Sequence, residues 1–482
     1  MISQSIKNKH SNNSKSFFDS APVFFKKRYQ VSYSSMVSDK LTSEPPCNAE
    51  SDAINRKYRY WRLHVFIGIY VGYTAFYITR KSLTYITPVL IQDLGLDKTD
   101  IGLIGTLFYF TYGTSKFISG IISDRSNPRY FMAAGLFLTG VINILFGLST
   151  SFWAFASLWT VNAFFQGWGW PPCSKILANW FSRTERGFWW GLWNTAHNLG
   201  GAIAPVALSF FVVTLGWQFG MYAAGIFALV VSLILLVELR DIPSRMGLPS
   251  VGRWRNDQLE IAHEQEGKGL PLKAIFFKYV ISNRYLWLLA LCYILVYVVR
   301  IAISDWGNLY LTEVHNCSLT RANSALSVLE IGGFMGCLVA GWGSDWWFGG
   351  NRTPMNTIFS IGVLLSVAGL WLIPVSGYFV QLMLFFLIGF FVYGPQMLIG
   401  MAAVEYSHKE AAGAASGFVS LFAYFGAAMA GLPLAFVMES FGWDGFFITL
   451  STCSFLILMI LLPLLRSEKA SIREGFDQKK LR

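Results

Sequence analysis

Two arginines stand inside apolar runs of this chain, Arg80 in Tyr77-Ile-Thr-Arg80 and Arg300 in Tyr297-Val-Val-Arg300. An arginine at membrane depth costs at least a few kcal/mol, about 2.5–3.5 on insertion scales, so its retention points to use. Two guanidiniums that face one cavity repel each other unless an anion lies between them. A phosphate monoester, with a charge of about −1.5 to −2 near neutral pH, nearly balances the pair. Each planar fork can also bond two of its oxygens at once. Lys81 and Lys116 are further cations close by, and Asp305 and Glu330 are the acids placed to neutralise Lys81. His197 can donate to phosphate, and Tyr73, Tyr77, Tyr297 and Tyr393 can share faces with the arginines and bond substrate hydroxyls. The expected chemistry is capture of a phosphorylated small molecule.

Other chemistries find little support. Cys47, Cys173, Cys292, Cys317, Cys337 and Cys453 are scattered, with no CxxC pair and no metal-ligand spacing to histidine. They read as small apolar side chains rather than as a metal site or a disulfide frame. Neither a nucleophile–base pair nor a nucleotide loop is evident, so an enzyme and a bound cofactor are not expected.

The elements that must hold these residues are membrane helices. Hydrophobic residues make up 54% of the 482 and charged residues 13%, against about 25% charged in soluble proteins. Apolar runs near the roughly 20 residues needed to span a bilayer recur along the chain. They lie near 61–79, 101–122, 130–150, 152–178, 187–215 and 217–238, then 285–311, 324–343, 355–374, 378–404, 411–437 and 443–465. The net charge of +11 sits in short segments between these runs and at both ends, which fits anionic headgroups rather than nucleic acid. Arg56, Arg125, Arg129, Arg183, Arg186, the central stretch, Arg352 and Arg466 fall on one side, and little beyond Lys98 and Arg321 on the other. By the positive-inside rule both termini face the cytoplasm.

The expected organisation is a disordered cytoplasmic extension (1–55), a six-helix bundle (56–240), a cytoplasmic central loop (241–282), a second six-helix bundle (283–466) and a cytoplasmic tail (467–482). Met36 is an alternative start. A plastid transit peptide is disfavoured by the acids in the extension. The bundles repeat. Gly120-Ile-Ile-Ser-Asp124 recurs as Gly341-Trp-Gly-Ser-Asp345, the Arg80 segment as the Arg300 segment, and Gly216-Trp217 as Gly442-Trp443, at offsets of 221, 220 and 226. Such a parallel repeat is that of major-facilitator transporters, with the substrate site between pseudo-symmetric halves. The fold class expected is an all-α membrane protein of twelve transmembrane helices.

Several motifs are more specific. Arg186-Gly187, Trp193-Asn194, His197-Asn198 and Gly200-Gly201 resemble the signature of the organophosphate:phosphate antiporter family. Gly167-Trp-Gly-Trp-Pro-Pro-Cys173, Tyr112-Gly-Thr-Ser-Lys116 through Arg129, Tyr393-Gly-Pro395 and Phe441-Gly-Trp443 are similar to that family too. By this resemblance Arg80 and Arg300 match the two phosphate-binding arginines, His197 the substrate-coupled histidine, and Lys81 with Asp305 the cavity charge pair. Asp124, Arg125 and Arg129, echoed by Asp345 and Arg352, look like the conformational latch of the superfamily. The stretch Met401–Tyr424 looks most like the hexose-phosphate transporter and sensor branch. One departure is Ser416 and Val419, where hexose-phosphate carriers often have an acid and a lysine.

The reading is a monomeric, multi-pass protein of the inner (plasma) membrane. It exchanges a phosphorylated sugar, glucose 6-phosphate first, for inorganic phosphate by alternating access. A membrane receptor for hexose phosphate, or a carrier of glycerol 3-phosphate or phosphoglycerate, is the alternative.

Overall fold

The computed structural model describes residues 48–257, 261, 276–349, 351–373, 377–407 and 412–480, apart from some side chains within these helices. Residues 56–482 form one compact unit, which carries the spans and the cavity between them. Most of the expected extension (1–55), and 258–260 with 262–275 of the central loop, lie outside the described residues.

Among the described residues, twelve helical spans make up the fold. The first three are Asn48–Leu94, Lys98–Arg125 and Pro128–Leu148. The fourth is broken into Phe152–Gln166 and Trp170–Trp180, the fifth into Arg183–Asn194 and Ala196–Leu215, and the sixth is Trp217–Glu238. The seventh to tenth are Arg284–Glu313, Leu319–Phe348, Arg352–Leu372 and Tyr378–Glu405. The eleventh starts as Ala412–Met429, and Leu432–Lys480 carries its end and the twelfth, kinked at Gly442. Among the described residues, eight segments are long and apolar enough to cross a membrane by length and composition, and one of these, Ala415–Leu462, holds two spans. The first, second and fourth miss that measure because they carry charges or a break.

Short polar side chains cap some of the helix starts. Asp97 and Asp100 form a reciprocal capping box on the second span, with Asp100 N to Asp97 Oδ1 at 2.6 Å. Asn127 caps the third span and Asn351 the ninth, each accepting the backbone N–H two residues on, at 3.0 and 3.1 Å. These caps extend the repeat seen in the sequence. The Gly-Trp pairs have a backbone reason as well. Gly216 has φ +104° and Gly442 φ +61°, and each turns the chain sharply from one span into the next. A side chain is strained in that region, so glycine is the residue the turn requires.

The expected spans differ from the observed ones at their breaks. The helix of the fifth span starts at Arg183, ahead of its apolar part Phe188–Leu215, and interrupts at Thr195. The eleventh breaks at Ala430-Gly431, and its loosened backbone groups find partners in other spans. Thr106 Oγ1 donates to Ala428 O and accepts from Leu432 N, both at 2.8 Å, and Trp306 Nε1 donates to Ala430 O at 2.8 Å. Irregular backbone at membrane depth survives only where protein satisfies it in this way.

The halves meet along the cavity and toward the Lys98 end. Lys98 pairs with Glu313 at 2.7 Å, Trp443 Nε1 donates to the same carboxylate at 2.9 Å, and Thr99 N donates to Glu439 at 3.2 Å. Deeper, Asn308 Nδ2 donates to Thr84 O at 2.7 Å, and Asn323 Nδ2 to Tyr85 O at 2.9 Å and Ser209 Oγ at 2.8 Å.

Candidate functional site

Arg80 lies well inside the first span and is 8% exposed. Its Nε donates to Gln166 Oε1 at 3.3 Å and its Nη2 to Tyr112 Oη at 3.0 Å. The guanidinium also lies over the rings of Tyr77 and Tyr112, 4.6 and 4.3 Å from their centroids. Arg300, 6% exposed in the seventh span, donates from Nη2 to Tyr393 Oη at 3.1 Å and lies over the Tyr393 and Tyr297 rings at 4.4 and 5.6 Å. Gln166 closes the first part of the fourth span and Tyr393 lies in the tenth. Each arginine is therefore steadied by a neutral group from the pseudo-equivalent span of its own half. Neutral partners fix a guanidinium without cancelling its charge.

Lys81 is spent differently. It pairs with the Asp305 carboxylate across the two halves and donates to Ser304 Oγ at 3.0 Å and Tyr109 Oη at 3.3 Å. Tyr109 donates in turn to Asp305 Oδ2 at 2.7 Å. Glu330 is the other acid expected to neutralise Lys81, and its hydrogen bonds run to other groups. Glu330 accepts from Tyr393 Oη at 2.5 Å and from Asn198 Nδ2 at 3.2 Å, so it backs Arg300 and ties the eighth span to the fifth. That crossing depends on Gly201, where a Cβ would lie 2.7 Å from Glu330 Cγ. Asn198 and Gly201 both belong to the signature read from sequence.

One cavity collects most of the expected residues: Tyr73, Tyr77, Arg80, Lys81, Lys116, His197, Tyr297 and Arg300 line it. His197 Nε2 and Arg300 Nε have no hydrogen-bond partner among the described residues. Lys116 Nζ lies 3.5 Å from Tyr424 Oη and over the Trp170 ring at 4.9 Å. Tyr393 does not line the cavity but holds Arg300 from behind. Arg80, Arg300, Lys81 and Lys116 set against Asp305 and Glu330 leave an excess of two positive charges. A dianion suits that excess.

Residue-by-residue reading missed Tyr109, Tyr112, Gln166 and Tyr424 as site groups. A tyrosine or glutamine in an apolar run resembles any packing or interfacial residue, and only its spacing from Arg80 in three dimensions distinguishes it. Tyr112 and Tyr424 carry a signal in the sequence only as parts of family-like segments.

The expected latch residues divide. The Asp124 and Arg125 side chains lie outside the described residues. Asp345 accepts from Arg352 at 2.5 Å, and Arg352 also pairs with Glu405 at 3.0 Å, so these join the eighth, ninth and tenth spans within the second half.

Twelve spans around a buried cationic cavity define a polytopic membrane protein of the transporter class. The chain belongs to the Major Facilitator Superfamily, whose family model matches residues 69–431, and within it to the organophosphate:phosphate antiporter branch. That family is one of transporters, not of enzymes. The chain is 56% identical to the membrane sensor protein UhpC of Escherichia coli, over 89% of this chain and 98% of that one. It is 46% identical to the probable hexose phosphate transport protein of Chlamydia trachomatis, again over 89% and 98% of the two chains. Among solved structures, a bacterial homolog to the human lysosomal transporter Spinster superposes with a TM-score of 0.65 over 83% of this chain and 95% of that one. At 15% identity this last likeness bears on the fold alone.

Proposed function

We propose that this protein exchanges a phosphorylated sugar, glucose 6-phosphate first, for inorganic phosphate by alternating access across the inner membrane, as a monomer with both termini in the cytoplasm. The observation that carries the reading is the pair Arg80 and Arg300, both buried, both held by neutral partners, and both lining one cavity. A phosphate dianion between them cancels the excess charge and accepts from both forks. Unloaded, the mutual repulsion of the guanidiniums opposes closure of the cavity, so reorientation occurs with an anion on board and transport becomes obligatory exchange. Lys81–Asp305 and Glu330–Asn198 are the contacts between halves that rearrange as the cavity changes its side of access. The sugar hydroxyls fall to Tyr73, Tyr77 and Tyr297.

A second reading, a membrane receptor for hexose phosphate, is favoured by the 56% identity to a protein described as a membrane sensor. It shares the site and differs in flux. Reconstitution into phosphate-loaded vesicles separates the two. Uptake of labelled phosphate and of glucose 6-phosphate that requires internal phosphate supports exchange. Binding of either anion with no uptake moves the receptor to first place. Rapid phosphate efflux with no counter-anion contradicts obligatory exchange.

A further inference from the structure

A second cationic pocket lies away from the central cavity, at the ends of the third and sixth spans. Asn127, Arg129, Tyr130, Arg240, Asp241 and Arg245 are among its lining residues. Pro128 starts one apolar span and Glu238 ends the other, so the pocket stands at the level where hydrocarbon gives way to headgroups. Its rim is apolar. Tyr130 is 56% and Val237 64% exposed on the helix faces that flank it.

The simplest role for these arginines is to cap the sixth span. Arg129 Nη2 donates to Leu236 O, and Arg240 Nη1 donates to Val237 O at 2.6 Å and Leu239 O at 2.8 Å. Basic side chains commonly satisfy the last carbonyls of a helix. Capping leaves charge over, however. Arg129 Nε is buried with no hydrogen-bond partner among the described residues. Asp241 is committed to Arg245 at 2.8 Å, and Glu238, the carboxylate whose charge reaches Arg240 from beyond the lining, pairs with His64 at 2.5 Å, so the lining itself holds more cationic than anionic charge. Burial first, then the nearby charge of Arg129, lowers the Arg240 pKa from its ordinary value. The Arg240 guanidinium also stacks on Trp61 of the first span at 4.4 Å, which holds it in place. The start of the third helix adds its positive end to the same side.

We propose that this pocket binds the phosphate of an anionic phospholipid, with Arg129 and Arg240 as the charge partners, Arg245 at the mouth, and the acyl chains along the exposed faces of the third and sixth spans. A basic pocket between helix ends at the cytoplasmic level is the arrangement that takes anionic headgroups. A zwitterionic lipid brings its own cation against the arginines and is disfavoured.

The test is the unfolding temperature of the full chain in mixed micelles with dioleoylphosphatidylglycerol, dioleoylphosphatidylcholine or inorganic phosphate. The wild type is compared with the double variant Arg240→Gln, Arg245→Gln. The expected result is a rise of a few degrees with phosphatidylglycerol over phosphatidylcholine in the wild type, lost in the variant. Equal unfolding temperatures of both proteins in phosphatidylcholine show that the variant folds. Arg245→Gln alone, whose side chain is largely exposed, gives a partial loss and covers the case of a misfolded double variant. The proposal is overturned if the two lipids act alike on the wild type, or if the variants keep the full rise. It is equally overturned if inorganic phosphate produces a rise that the variants lose, because the ligand is then a soluble anion.

Discussion

Lys81 of the first span and Asp305 of the seventh form an ion pair across the two halves, and Tyr109 donates to the same carboxylate at 2.7 Å. The pair lies one residue from Arg80, so the charge that joins the halves and the charge that takes substrate share one helical turn. Removing one partner of a buried pair leaves the other uncompensated, at a cost of roughly 3–5 kcal/mol. Lys81→Ala and Asp305→Ala should each lower stability toward the smaller of those values, since Asp305 retains some exposure. The double variant should lose clearly less than the sum. Unfolding of all four proteins in one detergent measures this, and strictly additive losses would show that the pair is not coupled.

Gly201 and Gly191 make opposite expectations. An added methyl at Gly201 meets Glu330 Cγ at 2.7 Å, whereas at Gly191 it meets nothing within 4 Å. Gly201→Ala should therefore cost about 1–3 kcal/mol by overpacking the joint between the fifth and eighth spans. Gly191→Ala should gain up to about 1 kcal/mol from helix propensity. Thermal unfolding of both variants checks the signs, and a stable Gly201→Ala would mean that the joint yields easily.

Glu185 precedes the apolar stretch Phe188–Leu215. It accepts from Arg62 at 2.7 Å and from Arg255 Nη2 at 2.7 Å, and so fastens part of the central stretch to the first half. Burial alone raises its carboxyl; the hydrogen bonds and charges of Arg255 and Arg62 outweigh burial and hold the pKa below its ordinary value. A depressed folded-state pKa means stability that is fully present above the unfolded value, about 4.3, and lost as pH falls through the folded value. Glu185→Gln should be less stable than wild type at pH 7, with the gap closing below about pH 4. A gap that stays constant with pH would assign the effect to packing rather than charge.

Much of this is legible without the structure. Arg80, Arg300 and Asp305 announce themselves because a charge in an apolar run is rare and costly. The repeat emerges from Gly216-Trp217 and Gly442-Trp443, whose positive φ explains why these positions cannot drift. The breaks at Thr195 and Ala430-Gly431 are not legible, because they are sustained by groups on distant spans, Thr106 and Trp306 in the second case. The hydrogen-bond partners of Glu330 are not legible for a similar reason. Its neighbours come from the fifth and tenth spans, and sequence distance says nothing about which buried base an acid will meet. The stacking of Tyr58 on Trp254, with centroids 4.1 Å apart, joins the first span to the central stretch and has no signal in a loop read only for charge.

The most direct test of the arginine site is equilibrium binding of inorganic phosphate to the purified protein and to Arg80→Lys and Arg300→Lys. Each lysine keeps the charge but loses the planar fork, and a hydrogen bond to a charged group is worth about 1.5–3 kcal/mol. Both variants should bind phosphate about 10- to 100-fold more weakly, and to a similar degree. Wild-type affinity in either variant would contradict a phosphate shared between Arg80 and Arg300.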